Sequence, residues 1–338
     1  MSRGDRRGRP RRARGAAFGL VLLVLGGCTV RGPLLEPGQL TGLPRRVELE
    51  QTPFFRQREY QCGPAALATL LAAGGVVVRP DDLVDEVYLP GRRGSLPAEM
   101  IAATRNRGQL PYLVPESLPD VLALVASGEP VLVLQKTGAG PWPGWHYAVV
   151  VGYDLDRERV LLRSGSESRL ELPLDRFLLT WERAGRYALA ALEPGAVPAP
   201  AEFSRYMAGA AGLEAVGQHE AAARAYAAAA NRWPEQALPH LGMANLAYAR
   251  GDLAGADRLL ASLIQRAPQE VAARNNRALV LLEMGCPQAA RQQLTATERL
   301  AVGGPFAASL AGTRRQIDAN GSSDGPACPH EVTAPLAQ

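Results

Sequence analysis

Two side chains in this sequence have the chemistry of a nucleophile and its base. Cys62, in Tyr60-Gln61-Cys62-Gly63-Pro64-Ala65-Ala66-Leu67, stands directly before Gly63–Ala73, a small-residue apolar run with helical character. A helix N-terminus carries partial positive charge and free N–H groups, so a cysteine there is expected to favour thiolate, its reactive form. His146 opens the apolar run WHYAVVVGY and is the one histidine between residues 29 and 202; His219, His240 and His330 lie beyond. A thiol with an imidazole base is the smallest set for nucleophilic cysteine catalysis, which makes His146 the candidate base. Trp142 and Trp145 beside it are candidates to line a substrate groove. The four cysteines (Cys28, Cys62, Cys286, Cys328) are too far apart for a zinc spacing, and no glycine-rich phosphate loop is present. No metal and no cofactor are expected.

The elements that must position these residues lie in residues 46–192. Helices are expected at Gly63–Ala73, Asp81–Val87, Pro97–Asn106 and Pro119–Ala126, with a strand near Pro111–Val114. Strands follow at Pro130–Gln135, Trp145–Tyr153, Arg159–Arg163 and near Ser168–Leu172, then a short helix at Leu174–Thr180 and a closing strand at Tyr187–Leu192. Helices first, then a run of strands on short turns, point to an α+β domain with an antiparallel sheet. Cys62 then starts the first long helix, and His146 starts a central strand.

The run Gln57…Tyr60-Gln61-Cys62-Gly63-Pro64-Ala65-Ala66-Leu67, with His146-Tyr147-Ala148-Val149-Val150-Val151-Gly152-Tyr153 after it, resembles the bacteriocin-processing, double-glycine cysteine peptidase family over residues 50–192. The resemblance implies a papain-like fold, Cys62 as nucleophile, His146 as general base and later acid, and Gln57 as side-chain donor of the oxyanion hole beside the Cys62 main-chain N–H. The sequence departs from the family in two places. The family glutamine stands six residues before the cysteine, where this chain has Arg56; Gln57 is taken instead, with Gln61 as the weaker choice. The family also carries Asp or Asn on the next strand to orient the imidazole. Here Ser164 holds that strand position in Val160-Leu161-Leu162-Arg163-Ser164-Gly165, while Asp154 and Asp156 fall in the hairpin turn. A serine can accept from the imidazole but cannot stabilise imidazolium as a carboxylate does. Members of the family often head export transporters. No phosphate loop or spanning segment follows residue 28 here, so neither the transport role nor double-glycine specificity is carried over.

The N-terminus reads as an address. Residues 1–27 hold seven arginines and one acid, then the apolar run Ala16–Gly27. Twelve residues fall short of the roughly 20 that span a bilayer, so the segment reads as a secretory signal. Leu25-Gly26-Gly27-Cys28 is similar to the bacterial lipoprotein processing box, which implies cleavage before Cys28 and lipid on its sulfur and amino group. Thr29 after it favours the outer membrane, facing the periplasm. Residues 29–45 are Pro/Gly-rich and read as a tether. Over the whole chain 37 basic residues face 33 acidic ones; without residues 1–27 it is 30 against 32, which excludes a basic nucleic-acid binder.

Residues 193–202 form a Pro/Ala linker, and residues 203–304 repeat. Gly217, Gly251 and Gly285 are 34 apart, as are Ala210, Ala244 and Ala278, and Ala222, Ala256 and Ala290. That period is the tetratricopeptide signature, and three repeats are the minimum for a stable stack. The expected fold is thus a papain-like α+β domain followed by an all-α repeat domain that binds a protein partner. Residues 305–338 are expected as a disordered tail, in which Cys328 either pairs with Cys286 or stays free. The expected activity is that of an envelope lipoprotein cysteine peptidase acting on a peptide or protein substrate. The alternatives are a catalytically degenerate adaptor and a cysteine-dependent acyl or amide transferase.

Overall fold

The computed structural model describes residues 40–58, 60–138, 144–320 and Cys328. The two segments read as signal and tether, including Cys28, lie outside the described residues apart from the last few of the tether, as does Trp142.

A single antiparallel sheet organises the first domain. Its strands are β1 (Arg46–Glu48), β2 (Leu110–Leu113), β3 (Val131–Thr137), β4 (Gly144–Asp154), β5 (Arg159–Ser164), β6 (Glu167–Pro173) and β7 (Ala188–Leu192). They run in the order β2-β7-β3-β4-β5-β6, and β1 pairs with the far end of β4. The central strands β3 and β4 are apolar on both faces because both faces are covered. Tyr147, Val149 and Val151 of β4 pack under helix α1 (Cys62–Ala73) and helix α3 (Pro97–Asn106); Ala148 and Val150 pack against helix α4 (Leu118–Ala126) and helix α5 (Leu174–Glu182). Two-residue alternation along β4 thus separates the two cores. The helix expected at Asp81–Val87 is a 3-10 turn at Pro80–Leu83 followed by the single turn α2 (Val84–Val87).

The second region is all-helical. Helices α6 (Phe203–Ala215), α8 (Ala237–Ala249) and α10 (Val271–Glu283) begin 34 residues apart, and so do α7 (His219–Arg232), α9 (Leu253–Arg266) and α11 (Pro287–Leu300). Gly217, Gly251 and Gly285 end the first helix of each pair with φ near 77°, a left-handed conformation that glycine adopts without a Cβ clash. The first pair continues the core of the sheet: Tyr206, Met207, Ala210 and Leu213 of α6 join Leu110 and Tyr112 of the edge strand β2. Polar contacts fix the join. Tyr112 Oη accepts from the Glu202 N–H (3.0 Å), and Tyr206 Oη donates to the Pro194 carbonyl (3.0 Å). An α-helical cover over β2 removes an open sheet edge.

The disordered tail expected from residue 305 is corrected over its first part. Residues 307–320 form helix α12 (Ala307–Asn320), whose Leu310 and Ile317 are buried against α10 and α11, and Cys328 is disulfide-bonded to Cys286. The two apolar residues, seven apart, give one helical face to bury. Among the described residues no helix is long and apolar enough to cross a membrane.

Candidate active site

The site forms where β5 stops short of the end of β4. The β4–β5 register ends at Val149↔Arg163, so the main-chain groups of Tyr147 on that side have no strand partner and need another. Two expected site residues meet them. The Tyr147 N–H faces the Cys62 thiol, and the Tyr147 carbonyl accepts from Gln57 Nε2 (3.1 Å). Tyr147 is therefore the hub between Cys62 and Gln57, a role its side-chain type does not reveal. Its ring lies edge-on to Tyr187 (6.5 Å between centroids), and its hydroxyl donates to the Ser95 carbonyl (3.3 Å).

Cys62 is the first residue of α1. Gln61 before it makes no side-chain cap, which leaves first-turn N–H groups without an intrahelical partner. Those of Cys62 and Gly63 turn to the sulfur. Gly63 is required by space: a Cβ there would overlap the Ser95 side chain. Pro64 has no N–H to satisfy, which suits the first turn.

His146 lies one residue before the hub. Its Nε2 is 2.8 Å from Ser164 Oγ, and Ser164 is itself buried. The structure thus brings His146 and Ser164 together, and brings Cys62 and Gln57 together on the next residue of β4. The serine thus engages Nε2 of the ring. Gln61 instead lines a shallow pocket with Phe55 and Arg79. Asp154 accepts from the Arg157 N–H and Asp156 pairs with Arg45. Asp154 is eight residues along β4 from His146, roughly 26 Å at about 3.3 Å per residue, so neither carboxylate serves the imidazole. Trp145 is exposed.

The electrostatics correct one expectation. Burial pushes the Cys62 thiol above its ordinary range and outweighs the lowering by the N–H groups of Tyr147, Gly63 and Cys62. Burial likewise holds His146 below the ordinary imidazole value. Desolvation disfavours the charged form of each group, and for Cys62 this runs opposite to the direction that a helix N-terminus alone would give.

Arg163 is a positioning residue that sequence reasoning passed over. Its buried guanidinium donates to the carbonyls of Thr52 (3.2 Å), Glu50 (3.3 Å) and Ser168 (2.5 Å). With Gln57 N–H donating to the Gly165 carbonyl (3.0 Å), it ties the segment bearing Gln57 to the strand bearing Ser164. An arginine that directly follows the apolar run Val160-Leu161-Leu162 near the end of a strand is the signal that marked it.

The Cys62 thiol at a helix start and the Gln57 amide both meet the main chain of Tyr147, and the His146 imidazole stands one residue before it on β4. Residues 49–189 match the Peptidase_C39 like family. The first domain is thus an α+β peptidase domain, and the helical region that follows is consistent with an all-α repeat domain. A crystal structure from Bacillus anthracis, assigned to C39-like peptidases, is 18% identical and covers 44% of this chain and 98% of its own, with a TM-score of 0.38. No curated protein matches the chain.

Proposed function

We propose that this chain is a cysteine peptidase of the bacterial cell envelope. The observation that carries the reading is the connected set on β4: Ser164 on His146 Nε2, and the Cys62 thiol and Gln57 amide on Tyr147. Cys62 attacks a peptide carbonyl as His146 Nδ1 takes the thiol proton. Gln57 Nε2 has a second N–H besides the one given to Tyr147, and with the Cys62 main-chain N–H it holds the oxyanion; one such donor is worth about 3–4 kcal/mol in the transition state. His146 then protonates the leaving amine and activates water to release the acyl group.

Three features support the cellular setting. The cationic, short apolar N-terminus ending in Gly26-Gly27-Cys28 fits lipid attachment at Cys28, and several acyl chains anchor a protein far better than one. The Cys286–Cys328 disulfide fits an oxidising compartment such as the periplasm. Helix pairs starting every 34 residues fit tetratricopeptide repeats that bind a protein partner.

The adaptor reading has one observation in its favour: Ser164 stands where a carboxylate or amide would orient the imidazole. Digestion of a random peptide pool in ¹⁸O-water, read by mass spectrometry, separates the two. A peptidase labels the new C-termini, and Cys62→Ala and His146→Ala abolish the label. An intact pool with the wild-type chain supports the adaptor.

A further inference from the structure

Two cation–aromatic pairs flank the junction of Cys62 and Tyr147. Two residues before Cys62, the Tyr60 ring is half exposed (49%) and the Arg93 guanidinium lies 5.7 Å from its centroid. One residue before His146, the Trp145 ring is 55% exposed and Lys136 Nζ lies 5.3 Å from its centroid. Lys136 is the single lysine of the chain.

Strand register places the second pair. Lys136 is opposite Trp145 as Leu134 is opposite Tyr147. Leu134 and Tyr147 pack under α1, so Lys136 and Trp145 lie on that same face, about 7 Å further along the pleat. In the first pair Tyr60 stands on the chain entering α1, and Arg93 reaches it from the end of the 3-10 turn Pro90–Arg92. One pair thus stands two residues before Cys62 and the other one residue before His146, each offering an exposed aromatic ring and a cation. Tyr60 (φ 60°) and Arg93 (φ 48°) are two of four non-glycine residues with positive φ among the described residues. Such backbone strain concentrates at binding and catalytic sites. Arg58 and Gln61, on either side of Tyr60 in sequence, line a pocket of about 220 Å³ that also carries Arg56 and Arg79 against one carboxylate, Asp81, which pairs with Arg58 at 3.0 Å.

From this we infer that the surface around Cys62 selects acidic peptides. Aromatic faces of both pairs give an extended backbone and its side-chain stems apolar contact. Arg93, Lys136 and the pocket arginines meet Asp or Glu side chains on either side of the bond presented to Cys62. The inference rests on the peptidase reading for the direction of cleavage, and on the charge layout alone for recognition.

The test uses full-length Cys62→Ala protein and labelled random-sequence peptide pools with Glu, Gln or Lys fixed at two positions on each side of the centre. Fluorescence anisotropy reads binding, and the same pools are digested with the wild-type chain. An exposed charge contact is worth a factor of about three. The Glu pool is expected to bind about ten-fold tighter than the Gln pool, with the advantage removed by high salt. Arg93→Gln and Lys136→Gln, made in the same background, should each reduce it about three-fold. Equal binding of the Glu and Gln pools, or tighter binding of the Lys pool, would overturn the inference. Selective binding of the Glu pool without cleavage by the wild-type chain would sustain it while refuting the peptidase; cleavage indifferent to charge would do the reverse.

Discussion

In the proposed mechanism the competence of His146 turns on Ser164, and replacing that serine tests the geometry most finely. The serine hydroxyl, 2.8 Å from Nε2 and buried, can accept from an Nε2–H or donate to a bare Nε2. Only the first leaves Nδ1 free to take the thiol proton. Ser164→Asp removes the second arrangement, because a carboxylate accepts only, and adds a charge that favours imidazolium. An opposite charge at this range raises a pKa by about 1–3 units, a change of about 10- to 1000-fold in proton affinity. In the wild-type chain His146 is held low, so the unfolded state binds more protons between the folded value and about 6.5. Its contribution to stability is present above about 6.5 and is lost as pH falls through the folded value. In Ser164→Asp a folded pKa raised above about 6.5 reverses the sign: stability is gained below that value and lost as pH rises through the new one. The assay is NMR titration of the His146 ring, assigned with His146→Gln, beside the acid limb of turnover. Ser164→Asp should move both up by at least about one unit. Ser164→Ala leaves a buried ring nitrogen unpaired, costing about 1–3 kcal/mol, and should lower kcat about ten-fold. Identical titration of His146 in all three proteins would refute the reasoning.

Gln57→Ala should lower kcat by about 100- to 1000-fold yet leave iodoacetamide alkylation of Cys62 near the wild-type rate, since alkylation forms no oxyanion. That alkylation should rise only above the ordinary thiol pKa of about 8.5, because burial holds Cys62 protonated; a limb below about 6.5 would show an ion pair instead. Gly63→Ala drives a Cβ into Ser95 and should cost about 1–3 kcal/mol, read as a lower Tm that Ser95→Gly restores. Cys328→Ser opens the disulfide to Cys286 and should destabilise the last helices by about 2–4 kcal/mol with turnover unchanged, since Cys286 packs among α10–α12.

Much of the site could be read from sequence because its parts follow local rules. The family resemblance put Ser164 at the strand position facing the imidazole, and the small-residue run after Cys62 marked a helix start. What could not be read comes from tertiary context. The hub role of Tyr147 exists because β5 ends early and leaves main-chain groups unpaired, which no residue type announces. The sign of the Cys62 shift depends on burial outweighing three N–H groups, so the helix-end rule alone gives the opposite answer. The placement of β7 between β2 and β3, and the seating of α6 on β2, are long-range pairings that periodicity does not encode. Helix α12 was hidden by the Gly- and Pro-rich residues on either side of it.

The central claim is that Cys62 attacks the substrate carbonyl with His146 as its base. Rapid-quench digestion followed by intact-mass analysis and peptide mapping tests it directly. An acyl fragment is expected transiently on the peptide that contains Cys62, with no adduct or product in Cys62→Ala or His146→Ala. Peptide cleavage that persists in Cys62→Ala, or that proceeds unchanged in His146→Ala, would contradict it.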